Sequence, residues 1–233
     1  MTDAGEKPDY LGHRKRLRER FLAGGPTALA DYELLELLLS QAQPRGDVKP
    51  TAKALLRRFG SFGGVIAASP EALGEIDGMG DASIVALKAV QAAALLMQKQ
   101  DIIQKPVLSS WKSVLDYCHS AMAHEPIEQF RLLFLDGKNA LIADEKQSQG
   151  TVNHTPVYVR EVAKRALALD ASAVIMAHNH PTGDPSPSRD DVEMTKAVKI
   201  ALEKIGIQLH DHIIVGRKGH VSLRSLGYLD GAR

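Results

Sequence analysis

The stretch Ala173–Asp191, AVIMAHNHPTGDPSPSRDD, constrains this chain more than any other. Its first five residues, Ala173 to Ala177, have the length and composition of a buried strand. The run leads into His178 and His180, and residues two apart on a strand share one face. A loop rich in proline and glycine, Pro181 to Pro187, turns the chain. Ser188 then opens a helix predicted to reach Lys204, with Gly206 just past its end. Asp191 falls in the first turn of that helix, where a carboxylate gains from the helix dipole. Two imidazoles and a carboxylate form a three-ligand set typical of catalytic zinc, with the fourth position left to water. Singly, these residues have plainer roles: Ser188 with an acid three positions on is also a capping box. Together they do not, because two imidazoles at the edge of a core need partners. His178, His180 and Asp191 are the candidate metal ligands.

A buried strand needs neighbours. Gln129 to Leu135 reads as one, Asp136–Asn139 as a hairpin turn, and Ala140 to Glu145 as the return strand. Ser109 or Ser110 caps a helix to about Met122, and Val162 to Leu169 has helical spacing. Ile207 to Val215 and His220 to Leu223 complete the strands. Interleaved strands and helices make residues 109–233 an α/β or α+β domain. His210 and His212 lie two apart on one of these strands, and Asp211 points to the other face. They read as structural residues.

The first hundred residues read instead as short helices without a clear strand. A basic run, Arg14 to Arg20, surrounds Leu17, Phe21 and Leu22. Asp31 to Leu39 and Thr51 to Arg58 are predicted helices, and Ser69-Pro70-Glu71 is a strong helix start. Ile76-Asp77-Gly78-Met79-Gly80, followed by a helix from Ala82 to Met97, resembles a helix-hairpin-helix motif. Such a turn can face backbone N–H groups toward a DNA phosphate. Asp77 and Asp81 oppose that use, and residues 1–100 carry 13 Lys+Arg against 12 Asp+Glu. A hairpin that only packs the domain is the plainer reading. The helical pattern fades over 98–108, so 101–108 is read as a linker between a helical domain, 1–100, and the α/β domain.

Composition narrows the setting. An apolar fraction of 44% argues against disorder, and a net charge of +1 argues against a nucleic-acid coat. With Cys118 alone no internal disulfide forms, and Cys118 reads as a small core residue. The polar N-terminus contains no apolar run long enough for a signal peptide, and no window is expected to reach the ~18 apolar residues of a membrane span. A cytoplasmic protein without a membrane partner is expected.

The spacing His178-x-His180-x7-Ser188-x2-Asp191 resembles the JAMM motif of MPN-type metalloproteases. The fuller string HNHPTGDPSPSRDD resembles that of bacterial RadC-type proteins of the UPF0758 class. GHRKRLRERFL, DYELLELLL, the glycine hairpin, QFRLLFLD and LHDHIIVG also have counterparts there, so the likeness covers nearly the whole chain. Thr182 replaces a usual serine, Val159 in VYVREV replaces an expected proline, and Gln41-Ala42-Gln43 is an unusual version of its segment. The resemblance implies a JAB/MPN fold of the cytidine-deaminase-like type, with Zn2+ as cofactor. It also implies a glutamate on an earlier strand as general base. Glu128 matches best, because Leu132-Leu133 follow at the family's distance; Glu125, Glu145 and Glu161 are rivals. Ser188, carried over from the motif, would stabilise an oxyanion.

The expected activity is zinc-dependent hydrolysis of a peptide or isopeptide bond in a protein or peptide substrate. The alternative is a DNA-associated repair or replication protein, with its helical domain on DNA and a vestigial or structural metal site. A zinc nucleobase deaminase is discounted for want of Cys-x-x-Cys.

Overall fold

The computed structural model describes residues 9–103, 106–149 and 159–229. The polar terminus before residue 9 and the opening residues of VYVREV lie outside them. Contacts divide the chain into two compact units, Met1–Ala93 and Ala94–Arg233.

The first unit is helical, as expected. It comprises α1 (Asp9–Gly24), α2 (Asp31–Ala42), α3 (Lys49–Phe59), α4 (Phe62–Ala67), α5 (Pro70–Gly74) and the start of α6 (Asp81–Ile103). Leu35 and Leu39 of α2 meet Leu55, Val65, Leu73 and Leu87 in one core. Two members of the basic run on α1 are spent inside this unit. Arg14 donates to the carbonyls of Pro44 and Gly46, both at 2.6 Å. Arg20 donates to Glu33 at 2.8 and 3.0 Å. The turn between α5 and α6 is built around Gly78, at φ +84°, where a Cβ would sit 2.5 Å from Thr51 Oγ1. Thr51 donates to the Asp77 carbonyl at 3.2 Å, and Gln43 donates to that of Gly78 at 2.5 Å. Gln43, from the segment that departs from the family pattern, thus secures the hairpin.

Two helices differ from the sequence reading. α4 has six residues, two of them glycine, too few to show a period; Ser61 caps it by accepting from the Gly64 N–H at 3.0 Å. α6 runs beyond Met97 to Ile103, because Ile102 is fully buried and gives the last turn an apolar anchor. α6 is also long and apolar enough to cross a membrane by length and composition alone. The expectation that no window reaches a span's length fails for α6, where Lys88, Gln91 and Gln98 are outweighed by alanine, valine, leucine and isoleucine.

The second unit is built on a five-stranded mixed sheet of order β2-β1-β3-β4-β5. The strands are β1 (Gln129–Leu135), β2 (Leu141–Gln149), β3 (Ala173–Asn179), β4 (Gln208–Gly216) and β5 (Gly219–Ser222). β1 runs antiparallel to β2 and β3, and β3 runs parallel to β4. Every residue of β3 is buried, as its apolar run predicts for a central strand. α7 (Trp111–Met122) covers one face, where Val114 and Cys118 pack on Leu133, Ile175 and Ile213. α8 (Val159–Ala168) and α9 (Arg189–Glu203) cover the other, where Val162, Val198 and Leu202 pack on Phe130, Leu132 and Met176. Ser110 precedes α7 but makes no side-chain cap; its hydroxyl donates to the Pro106 carbonyl at 3.2 Å. Asp136 closes the β1–β2 hairpin by accepting from the N–H groups of Lys138 and Ala140, each at 2.8 Å.

Candidate metal centre

β3 alternates across the sheet, so His178 follows Val174 and Met176 onto the face covered by α9. Its ring is 1% exposed and lies parallel to Phe130, with centroids 6.0 Å apart. His180 lies just beyond the strand, and its N–H donates to the Val215 carbonyl at 2.9 Å. The loop that follows is seated against the end of β4. A Cβ on Gly216 would approach the Gly183 carbonyl oxygen to 2.4 Å, so the loop can close only over a glycine. Arg217 donates to the Pro181 carbonyl at 2.7 Å and ties the other side of the loop. The chain then enters α9. Ser188 caps this helix, accepting from the Asp191 N–H at 3.1 Å, while Asp191 Oδ2 accepts from the Ser188 N–H at 2.8 Å.

Strand, loop and capped helix bring three ligand atoms together. His178 Nε2 lies 3.0 Å from His180 Nε2 and 3.2 Å from Asp191 Oδ1. His180 Nε2 lies 3.5 Å from Asp191 Oδ2. This trio could hold a metal ion, its ligand atoms all lying within 4.8 Å of one another. His180 Nδ1 faces the Asp184 carbonyl at 2.8 Å. A carbonyl only accepts, so Nδ1 carries the hydrogen and Nε2 turns a lone pair inward. Two imidazole nitrogens and a carboxylate at such separations are a donor set that a divalent cation could take.

Burial pushes the Asp191 carboxyl up, but the His178 and His180 rings beside it outweigh burial and hold the group far below the ordinary carboxylate range. The Asp191 carboxylate beside the ring pulls the His180 pKa up, and the charge of Glu128 adds to it. Glu128 therefore lies close enough to His180 for its charge to be felt there. It is half-buried and two residues before Phe130, so alternation carries it to the same face of β1. The rival glutamates are engaged elsewhere. Glu145 accepts from Arg165 Nε at 2.9 Å through both oxygens, Glu125 accepts from the Gln129 side chain, and Glu161 pairs with Arg160 at 3.2 Å. The Ser188 hydroxyl donates to Asp191 Oδ2 at 2.6 Å.

Three further residues support this centre; the sequence singles out only His212 among them, as a structural residue. Asn179, between the histidines, points to the opposite face of the sheet and is fully buried. Its Oδ1 accepts from the Gln129 N–H at 2.8 Å, and its Nδ2 donates to the carbonyls of Glu125 and Ile127 at 3.3 Å. Asn179 thus fixes the segment that carries Glu128. His212 Nε2 lies 2.8 Å from His178 Nδ1, and His212 Nδ1 lies 2.6 Å from Thr195 Oγ1. Complete burial holds His212 well below the ordinary imidazole range, and His178 adds to that.

His210 and His212 do not share a face, contrary to the alternation drawn from the sequence. The β3–β4 register shifts between Val174 and Ile175, which are paired with Leu209 and Asp211, leaving His210 as the extra residue of a bulge. His210 instead approaches Asn139 at 2.5 Å and lines a cavity of about 520 Å3 with Trp111 and Arg224. That cavity lies at the Ala173 end of β3, away from His178.

Comparison with known proteins agrees with this architecture. Residues 108–228 match the family model of the RadC-like JAB domain, and residues 10–85 match that of the UPF0758 N-terminal domain. The chain is 58% identical over 213 residues to a UPF0758 protein of Rhodobacter capsulatus, covering 91% of this chain and all of that one. The chain belongs to the UPF0758 family. A UPF0758 protein of Ruegeria pomeroyi is 55% identical over 223 residues, covering 95% of this chain and all of the relative. A helical N-terminal region followed by a mixed-sheet JAB domain is therefore the family's layout, and the His178–His180–Asp191 trio sits on its JAB half.

Proposed function

We propose that the protein is a zinc-dependent hydrolase acting on a peptide or isopeptide bond of a protein or peptide substrate. The observation that carries this reading is the convergence of His178, His180 and Asp191, with His180 turning a lone pair inward. Two imidazoles and one carboxylate are the protein share of a catalytic zinc site. Zinc bound there supplies Lewis acidity and brings the pKa of water toward ~7. Glu128, on the same face, takes the proton of the attacking water as its oxygen bonds to the carbonyl carbon. Glu128 then returns that proton to the leaving amine as the C–N bond breaks. Ser188 turns its hydroxyl from Asp191 to the developing oxyanion. Asn179 keeps Glu128 in reach by holding the backbone on either side of it.

Metal analysis of purified full-length protein tests the reading. One tightly held zinc is expected, lost in His178→Ala and kept in Glu128→Gln. Cleavage of linear and isopeptide-linked peptide libraries should vanish in both variants. Undiminished zinc in His178→Ala would remove that residue as a ligand, and loss of zinc in Glu128→Gln would remove Glu128 as the base.

A further inference from the structure

Behind the trio runs a chain of hydrogen bonds with only one consistent arrangement of protons. It begins on α9, one turn after Asp191. Thr195 Oγ1 lies 2.5 Å from the Asp191 backbone carbonyl oxygen. Two oxygens that close need a hydrogen between them, and a carbonyl has none to give, so the threonine hydroxyl donates. Having spent its hydrogen, Thr195 Oγ1 can only accept from His212 Nδ1, 2.6 Å away. His212 is fully buried between Thr195, His178 and Phe130, and among the described residues no carboxylate is in hydrogen-bond contact with its ring, so it is neutral. A neutral imidazole with its hydrogen on Nδ1 bears a lone pair on Nε2. That lone pair faces His178 Nδ1 at 2.8 Å, so His178 Nδ1 carries the hydrogen. His178 Nε2 is left bare, and it is the atom that faces His180 and Asp191.

We infer that Thr195 and His212 are positioning residues that lock His178 in the one tautomer able to bind a metal through Nε2. The inference deepens the metal reading of the same trio and rests on it. Its physical content is that α9 delivers two things at once: a carboxylate ligand at Asp191, and, through Thr195, the proton arrangement of a histidine on β3. A ligand already in its binding tautomer and orientation needs no rearrangement to bind. Outer-shell partners of this kind are worth roughly 10–100-fold in metal affinity.

Two substitutions separate the lock from mere packing, because they make opposite predictions. Thr195→Val keeps shape and removes the hydroxyl, whereas Thr195→Ser keeps the hydroxyl and removes a methyl group. If the lock operates, zinc titration against a competing chelator gives Thr195→Val an affinity about 10–100-fold below wild type, while Thr195→Ser stays near wild type. If Thr195 only fills space, the valine variant stays near wild type and the serine variant weakens; that result overturns the inference. The second readout needs no variant to fold. Long-range proton–nitrogen spectra of metal-free, nitrogen-15-labelled full-length protein should show both His178 and His212 protonated at Nδ1. A His178 without a hydrogen on Nδ1, or a hydrogen on His212 Nε2, overturns it. A wild-type protein that takes up no zinc defeats the metal reading instead, and the nitrogen spectra then decide the lock alone.

Discussion

Asn179 and Cys118 show how burial turns ordinary residues into specific ones. Asn179 is a polar residue in a fully buried strand, and its side chain hydrogen-bonds to the backbone of 125–129. Asn179→Ala leaves the Gln129 N–H without its acceptor inside the protein, at a cost of about 1–3 kcal/mol. A lower urea midpoint with an unchanged slope is the expected result, and an unchanged midpoint would mean the segment holds itself. Cys118 is fully buried under α7, and burial pushes its thiol up to about 12. The native protein should leave Cys118 unreacted with an aromatic disulfide reagent at neutral pH and release one thiol equivalent when denatured. The sequence reading of Cys118 as a core residue is borne out, because a lone cysteine in an apolar-periodic helix has few alternatives. A polar residue between two histidines reads locally as part of a loop, and only the partner backbone, some fifty residues earlier, reveals what Asn179 does.

At the scale of elements, the candidate site depends on how β3, the loop and α9 are joined. Alternation along β3 and the capping pattern at Ser188 are local, so His178, His180 and Asp191 were legible as a set. The fit of the loop against β4 is not local. Gly216 is separated from Gly183 in sequence, and nothing nearby announces that their backbones meet. Gly216→Ala forces a Cβ to within 2.4 Å of the Gly183 carbonyl oxygen. Overpacking of this kind costs about 1–3 kcal/mol, and here the loop must move. Zinc retention should fall while the far-ultraviolet circular dichroism stays native. Full zinc retention would show that the loop does not set the His180–Asp191 geometry. The bulge at His210 teaches the same lesson from the other side. A strict two-residue period put His210 and His212 on one face, and a single extra residue separated them.

At the scale of the second unit, one buried ion pair ties its layers together. Arg131 of β1 meets Asp144 of β2 at 2.6 and 2.8 Å, joined by the Tyr117 hydroxyl of α7 and by Lys99 of α6 at 3.3 Å. Burial pushes Asp144 up, but the Arg131 charge and the hydrogen bonds from Tyr117 and Arg131 leave it below its ordinary 3.8. The folded protein therefore binds this proton less readily than the unfolded chain does. The resulting stability is complete above the unfolded value of about 3.9 and drains away as pH falls through the lower folded value. Asp144→Asn should remove that part of the acid sensitivity of the urea midpoint. It should also cost about 3–5 kcal/mol at neutral pH, since Arg131 is left buried without its counter-charge. A variant that loses stability in acid as steeply as wild type would assign the effect elsewhere.

The sequence by itself determined what is periodic or adjacent: helices and strands, the mixed α and β nature of the second unit, and three candidate ligands whose spacing fits strand, loop and capped helix. The tertiary structure decided what depends on distant chain segments meeting. It paired β3 with β4 through a bulge, seated the loop on Gly216, set Asn179 against the segment of Glu128, and stacked His212 and Thr195 behind His178. The reason is range. Backbone propensity and side-chain alternation act over a few residues, whereas the protonation of His178 is fixed by a hydroxyl seventeen positions away that touches it only through a third residue on another strand.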